Sequence, residues 1–381
     1  MKDMENITDK TLLEEWNSIL LHQLLFNTVI LWVYCAVGIV GNTVVLFFYS
    51  FRIKGKLEDR FLIPHLAFFD LLATIFTTID KTLDNIFPVM YPNHRLCQIS
   101  NFTSRVFAAT GDGVLLLIAF QRYYRICRPF QIQRPLPNDR VCLILIFMAA
   151  VVLNSPVFLF YDLHQVPHRD HDVIGYRCDH IHHNVQFSSV MVGYDIFVFI
   201  LIVVAMVTII VLYVFIARAI KRSAVNSKKQ STGKSPSSEV NQSNIKEITS
   251  ETNECLFKST ADDKSEKSVN CTKRNSSVAS LGKLASLTVA LRNNYQTNRF
   301  SYMFMTIALL FIITYIPSNI LKMCELHHPE MWIELPHWRL HVYLIFRQGY
   351  ILNHVVNPFV YGLFDSGFRR DLVRSLKCSK T

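Results

Sequence analysis

The 381-residue sequence predicts an all-α membrane protein, a seven-transmembrane helix bundle with a short amphipathic eighth helix. Three observations carry that prediction. Seven apolar runs long enough to cross about 30 Å of hydrocarbon fall near residues 25–49, 61–79, 102–120, 141–161, 187–217, 300–323 and 340–364. The chain is 51% hydrophobic and only 18% charged, with 28 Phe and a mean hydropathy of +0.25, the balance of a protein that sits largely in lipid. The last apolar run ends in NPFVY, Asn357 to Tyr361, and the amphipathic stretch GLFDSGFRRDLVRSLKC follows at once.

Residues 1–20 are polar and acidic, unlike a cleaved signal peptide, and residues 1–24 are expected as an extracellular N-terminus. The first span then serves as its own insertion signal. Asn6-Ile7-Thr8 is an N-x-T glycosylation sequon on that side, with Asn6 the acceptor. Residues 25–220 hold helices one to five. Arg52, Lys54, Lys56 and Arg60 follow span one, and Arg122, Arg125, Arg128, Arg134 and Arg140 lie between spans three and four. The chain end adds Arg369, Arg370, Arg374 and Lys377. Basic residues stay cytoplasmic, so the N-terminus is expected outside and the C-terminus inside. The net charge of +10 thereby reads as membrane topology, and no nucleic-acid partner is expected.

Residues 221–298 turn rich in Ser, Lys, Asn and Thr, with few large apolar side chains. Such a composition cannot bury enough surface to fold, so a disordered cytoplasmic loop is expected. Its SKKQSTGKSPSS and CTKRNSSVAS stretches place hydroxyls beside basic residues, the pattern of kinase substrates. Residues 299–364 carry helices six and seven. Residues 365–381 form the amphipathic helix and a short tail, with Cys378 a candidate for palmitoylation at the membrane lipids.

Cys97 and Cys178 fall on the oxidising side and can form one disulfide, pinning the loop after span four over the top of span three. Cys35, Cys127, Cys142, Cys255 and Cys271 fall in the membrane or the reducing cytosol and are expected as thiols. Inside the spans, Asn42, Asp70, Asp112, Arg122, Asn353, His354 and Asn357 interrupt apolar surroundings. An ionised group at that depth costs about 2.5–3.5 kcal/mol, so these side chains should face the bundle interior and meet. Asn353 and Asn357 are four residues apart on one face, which makes Asp70 their expected partner, with His354 turned to the same region. A carboxylate ringed by amides is a site for a cation, a sodium ion included, or for a proton. The plainer reading is an inert interhelical hydrogen-bond network.

These residues together resemble the rhodopsin-like, or class A, G-protein-coupled receptors over nearly the whole chain outside the third cytoplasmic loop. The resemblance rests on Gly41-Asn42, LAFFD ending at Asp70, Cys97 with Cys178, Gln121-Arg122-Tyr123, Pro129, Pro317 and NPFVY, with Arg122 placed 25 residues after Cys97. It implies a cell-surface receptor in the plasma membrane, with an extracellular ligand and nucleotide exchange on a heterotrimeric G protein. Arrestin and receptor kinases are further implied partners. Arg122, Tyr123, Phe130, Tyr213 and Tyr361 would serve G-protein coupling. Gln121, Phe311, Tyr315, Pro317, Asn357 and Pro358 would form the activation switch.

The chain departs from that family pattern at several places. Gln121 stands where an acid usually precedes the arginine, Thr297 where some members carry a second acid, and Tyr315 where a tryptophan precedes Pro317. Gly111 replaces a hydroxyl residue of the family's sodium site, and Asp112 takes a position that is normally aliphatic.

For the ligand, an amine receptor would need an Asp where Ser104 stands, and an opsin a lysine where Ile351 stands. Asp80, Lys81, Asp84, Arg105, Asp195, Tyr315 and Arg347 instead predict a wide polar mouth that suits a peptide, as in a neuropeptide receptor. Arg347 or Lys81 would accept a carboxylate there. A lipid or other small molecule is the alternative ligand, and a seven-helix ion transporter or channel is the alternative class. His164, His168, His171, His180, His182 and His183 match no closed zinc spacing and read as surface histidines. No nucleophile–base pair or phosphate loop points to an enzyme.

Overall fold

The computed structural model describes residues 2–52, 61–128, 138–168, 171–180, 185–232, 274–327 and 335–378. In chain order the elements are α1 (Lys2–Phe47), ending in one π turn over Phe48–Arg52, α2 (Leu62–Ile86), α3 (His94–Cys127), α4 (Asp139–Asn154) and the single turn α5 (Val157–Phe160). Then come β1 (Tyr161–Pro167), β2 (Ile174–His180), α6 (Val185–Thr232), α7 (Arg274–His327), α8 (His337–Arg347), α9 (Ile351–Phe364) and α10 (Ser366–Cys378).

Six helical stretches among the described residues are long and apolar enough to cross a membrane: Asp9–Phe51, Leu62–Ile86, His94–Cys127, Asp139–Phe160, Ser189–Ser223 and Arg299–Glu325. At 1.5 Å per residue the 14 residues of α9 cover only about 21 Å. The seventh span is therefore shared, with α8 leading into α9 through a turn at Gln348–Tyr350. This corrects the expectation of one unbroken run over 340–364. At the break, the Arg347 carbonyl accepts a 2.7 Å bond from Ser318 of α7, so a hydroxyl from the sixth span satisfies a carbonyl at the interruption.

The burial is that of a lipid-soluble bundle. Val40, Ile144, Leu145, Val190, Ile313 and Leu363 are more than half exposed, whereas Asn42, Asp70, Thr74, Thr78 and His354 are wholly buried. Hydrocarbon is as apolar as a leucine core, so the polar groups are what must be sequestered. The chain is thus a multi-pass membrane protein. Gly41 lets α1 approach α9 closely, because a Cβ there would sit 2.9 Å from the Pro358 ring.

Two features were absent from the sequence-based expectation. The fold is not wholly helical, since β1 and β2 pair antiparallel, with Leu163 opposite Cys178. Val89–Tyr91 adds a short third edge, through Tyr176 N–H to Val89 O at 2.7 Å and Tyr91 N–H to Tyr176 O at 2.9 Å. The stretch 221–298, expected without regular structure, is helical at 221–232 and 274–298. Those helix ends belong to a second compact unit, Arg218–Asn298; the remainder, 233–273, lies outside the described residues.

The amphipathic helix α10 forms as expected. Asp365 starts it by accepting the Gly367 N–H at 2.8 Å and the Phe368 N–H at 3.3 Å on Oδ1. Its Oδ2 accepts the Tyr49 hydroxyl at 2.7 Å. The Phe368 ring stacks on Tyr49 at 5.6 Å, fixing the helix against the end of α1.

Candidate functional site

The polar residues of spans one, two, three, six and seven meet in one buried layer. Asp70 is fully buried on α2. Its Oδ1 lies 2.8 Å from His354 Nδ1, and its Oδ2 accepts from Asn357 Nδ2 at 2.7 Å. Asn42 on α1 donates to the His354 carbonyl at 2.8 Å. Asn353 goes elsewhere. Its Nδ2 donates at 3.1 Å to Asp112 Oδ1 on α3, while the Tyr315 hydroxyl donates to Asp112 Oδ2. The expected Asn353–Asp70 pairing is therefore corrected. Successive helical residues are about 100° apart, so His354 and Asn353 face different carboxylates across α2 and α3. Tyr315, preceding Pro317, also packs on Phe311 at 4.4 Å.

At one end of this layer Arg122 is buried, 4% exposed. Its guanidinium carbon lies 4.9 Å above the Phe304 ring and 5.8 Å above Phe300, so cation–π contacts tie α3 to α7. The Tyr213 and Tyr361 hydroxyls are buried and have no hydrogen-bond partner among the described residues. Tyr123 meets Phe215 of α6 edge-on at 6.1 Å. Gln121, standing where an acid usually precedes the arginine, does not turn toward Arg122. It instead donates at 2.5 Å to Asp139, in the first turn of α4, so it braces the third helix against the fourth. Pro129 and Phe130 lie outside the described residues, as does the Thr297 side chain.

The other end is closed by the hairpin. Cys97 and Cys178 are disulfide-bonded, and Gln98 Nε2 donates to the carbonyls of Phe158 and Tyr161 at 3.1 Å each. Asn101 is buried, with its amide on Cys97 O at 3.2 Å and on Cys178 Sγ at 3.4 Å. The first helix docks here as well. Asn17 donates to Ile86 O at 3.1 Å and accepts from Val89 N–H at 3.4 Å, and Trp16 meets His168 edge-on at 4.8 Å. Burial would raise the Asp179 carboxyl, but the Arg177 guanidinium, His180 and the His180 N–H together hold it well below the usual carboxylate range. That ion pair is lost only as pH falls far below neutral. The side chains of His182, His183, Asn6 and Cys378 lie outside the description.

The expected ligand residues do gather at this end, although their charges are already committed. Lys81 Nζ lies 3.0 Å from Asp80 and 2.9 Å from Asp84. Ser104 reaches the buried Asp80 at 3.4 Å. Arg347 Nε donates to Glu325 at 2.7 Å. Arg105 of α3 donates to the Tyr161 hydroxyl, which lies 2.8 Å from His180 Nε2, and His180 Nδ1 is 3.8 Å from Asp195 on α6. Lys81 and Arg347, the expected carboxylate acceptors, thus each carry an internal ion pair that an incoming carboxylate would have to share or displace. Sequence reasoning missed Lys322, whose ammonium lies 5.1 Å over the Tyr350 ring. It follows Tyr315 by seven positions, two helical turns on the same face, and that spacing was the available signal.

Partial relatives share this organisation of sequence. A stretch of 117 residues is 29% identical to neuropeptide FF receptor 2 of Mus musculus, covering 31% of this chain and 28% of that protein. Another, of 129 residues, is 26% identical to tachykinin-like peptides receptor 86C of Drosophila melanogaster, covering 32% of this chain and 25% of that one. The matched stretches thus span about a quarter of each relative's length. The model of one family covers far more, matching residues 41–361 under the description 7 transmembrane receptor (rhodopsin family). With the seven spans, the disulfide and the polar layer inside that match, the chain belongs to the rhodopsin family of seven-transmembrane receptors.

Proposed function

We propose that this receptor sits in the plasma membrane with its disulfide end outside, binds an extracellular peptide there, and promotes nucleotide exchange on a heterotrimeric G protein at the Arg122 end. The observation that carries the reading is the single polar layer running between a charged mouth and a buried arginine. Tyr315, two turns inward of Lys322, donates to Asp112, and through Asn353 the same carboxylate is tied to α9, which also holds Asp70. A ligand that moves α7 or α8 at the mouth thereby acts on hydrogen bonds in the middle of the bundle. Two partial relatives carry peptides in their names, neuropeptide FF and tachykinin-like peptides, which supports the ligand class.

Lys322 refines the ligand. With Lys81 and Arg347 paired internally, Lys322 is a cation that can receive an anionic group of the peptide, and Tyr350 beside it offers an apolar face. The test is a peptide screen in cells carrying a promiscuous Gα reporter, with GTPγS binding set against ion flux. Ligand-driven flux without exchange would refute the coupling reading and favour a channel. For an active peptide with a carboxylate, Lys322→Gln should raise the half-maximal concentration about 10- to 100-fold, the scale of one charge-assisted hydrogen bond. A potency within twofold of the unaltered receptor would remove Lys322 from the site.

In the closed arrangement Arg122 is held by Phe304 and Phe300 of α7. Opening a cleft for a Gα helix must break those contacts, worth about 0.5–2 kcal/mol. Phe304→Ala is accordingly expected to raise agonist-free nucleotide exchange several-fold, measured per receptor at the cell surface. An unchanged or lower basal rate would show that Phe304 does not restrain the arginine.

A further inference from the structure

We infer that the Asp70 site of this receptor is built to exclude the sodium ion that its family pattern implies, because the imidazole of His354 fills the position a cation would take. The site was tested against sodium from its donor set. A hard alkali cation at a carboxylate needs that carboxylate open on one side and further oxygen ligands around it. Here both Asp70 oxygens are engaged from the seventh span, Oδ1 by His354 and Oδ2 by Asn357. The group on Oδ1 is a ring nitrogen 2.8 Å away, which occupies that side of the carboxylate whichever partner carries the proton.

The second donor is missing as well. The position of the family's hydroxyl ligand is Gly111, and the structure gives a reason for glycine there. A Cβ at that residue would lie 3.3 Å from Asp70 Oδ1, 3.4 Å from His354 Cε1 and 3.5 Å from His354 Nδ1. A serine hydroxyl would reach further still and meet the imidazole. Gly111 and His354 are thus complementary: removing the side chain at one makes room for the ring at the other. The neighbouring carboxylate is closed in the same way, since Asp112 is taken by Asn353 and Tyr315. The amide oxygens of Asn42, Asn353 and Asn357 are buried at this layer without hydrogen-bond partners among the described residues, so what closes the site to sodium is the occupied carboxylate and not a lack of other oxygens. His354 is wholly buried, so displacing it would require turning a ring within packed helices.

The consequence is a receptor whose polar layer is held together by an internal side chain instead of an ion drawn from the extracellular medium. Its conformational balance should be indifferent to sodium. This rests on the family assignment and the geometry at Asp70, and not on the identity of the ligand or the G protein.

The test uses the purified full chain, with thermal unfolding followed in sodium chloride and in potassium chloride at equal concentration, and no ligand present. The unaltered receptor should show one midpoint in both salts. His354→Asn, which returns an oxygen donor and space, should gain a sodium-specific rise of about 3 °C, and that rise should vanish when Asp70→Asn is added. A sodium-specific rise in the unaltered receptor that is lost in Asp70→Asn would overturn the inference. A folded His354→Asn variant with no sodium response would overturn the role given to His354. Should that variant fail to fold, sodium-23 relaxation with the unaltered receptor and with Asp70→Asn decides alone. Equal relaxation supports exclusion, and faster relaxation with the unaltered receptor refutes it.

Discussion

Arg122→Ala should abolish ligand-stimulated nucleotide exchange, by at least 100-fold, while surface expression and thermal midpoint stay close to those of the unaltered receptor. The argument begins with what holds the side chain. A buried guanidinium carries five N–H donors and a charge that cannot be removed by deprotonation. In this arrangement it is stacked over Phe304 and Phe300, contacts that contribute only a kilocalorie or so each. These contacts are small beside what a bound partner would draw from the same side chain. A Gα helix end entering from the cytoplasm, in contrast, presents backbone carbonyls with no donors of their own. Each hydrogen bond from a charged donor is worth about 1.5–3 kcal/mol, so losing two of them accounts for the expected factor. Arg122→Lys separates charge from geometry: the point charge remains and the planar fork is lost. It should recover a minor part of the signal. Full exchange by Arg122→Ala would show that the G-protein reading has the wrong residue at its centre.

How much of this could be read from sequence depended on whether the signal was local. The six long spans and α10 were legible because lipid demands uninterrupted apolar runs and a helix face demands a 3.6-residue period. The pairing of Cys97 with Cys178 was legible from the sides of the membrane on which they fall. The hairpin was not, because its strands, Tyr161–Pro167 and Ile174–His180, are so dense in His, Asp and Arg that the alternation is blurred. Contacts that depend on one step of helix rotation were also beyond reach. His354 was correctly turned toward Asp70, but Asn353, one residue earlier, was given the same partner and belongs to Asp112. The interruption at Gln348–Tyr350 sets the rotation of α9, and no local rule fixes how far such a turn rotates the helix after it. Gln121 failed for a different reason. Its partner Asp139 stands 18 positions later, at the start of another helix, so no local pattern pointed to it. The ion pairs of Lys81 and Arg347 at the mouth were also beyond reach, since internal pairing is a property of the assembled bundle.

Breaking the Tyr315–Asp112 contact should raise agonist-free signalling and lower the thermal midpoint, and the two side chains should prove energetically coupled. The Tyr315 hydroxyl donates to one oxygen of Asp112 and Asn353 to the other, joining the third, sixth and seventh spans through a single carboxylate. A hydrogen bond to a charged acceptor at this depth contributes about 1.5–3 kcal/mol. Tyr315→Phe keeps the ring on Phe311 and removes only the donor, so its effect isolates the bond. If opening the Arg122 end separates α7 from α3, the loss falls on the closed state alone. The open fraction should then rise by about 10- to 100-fold until it saturates. Asp112→Asn should act in the same direction but less strongly, because an amide oxygen still accepts from Tyr315. In the double variant the two losses should not add, with a coupling of about 1–2 kcal/mol when basal exchange is converted to free energy in a double-mutant cycle. Coupling near zero would mean that the contact carries nothing between the helices. A basal rate that falls in Tyr315→Phe would place the bond in the open state, and the polar layer would then hold the receptor active instead of at rest.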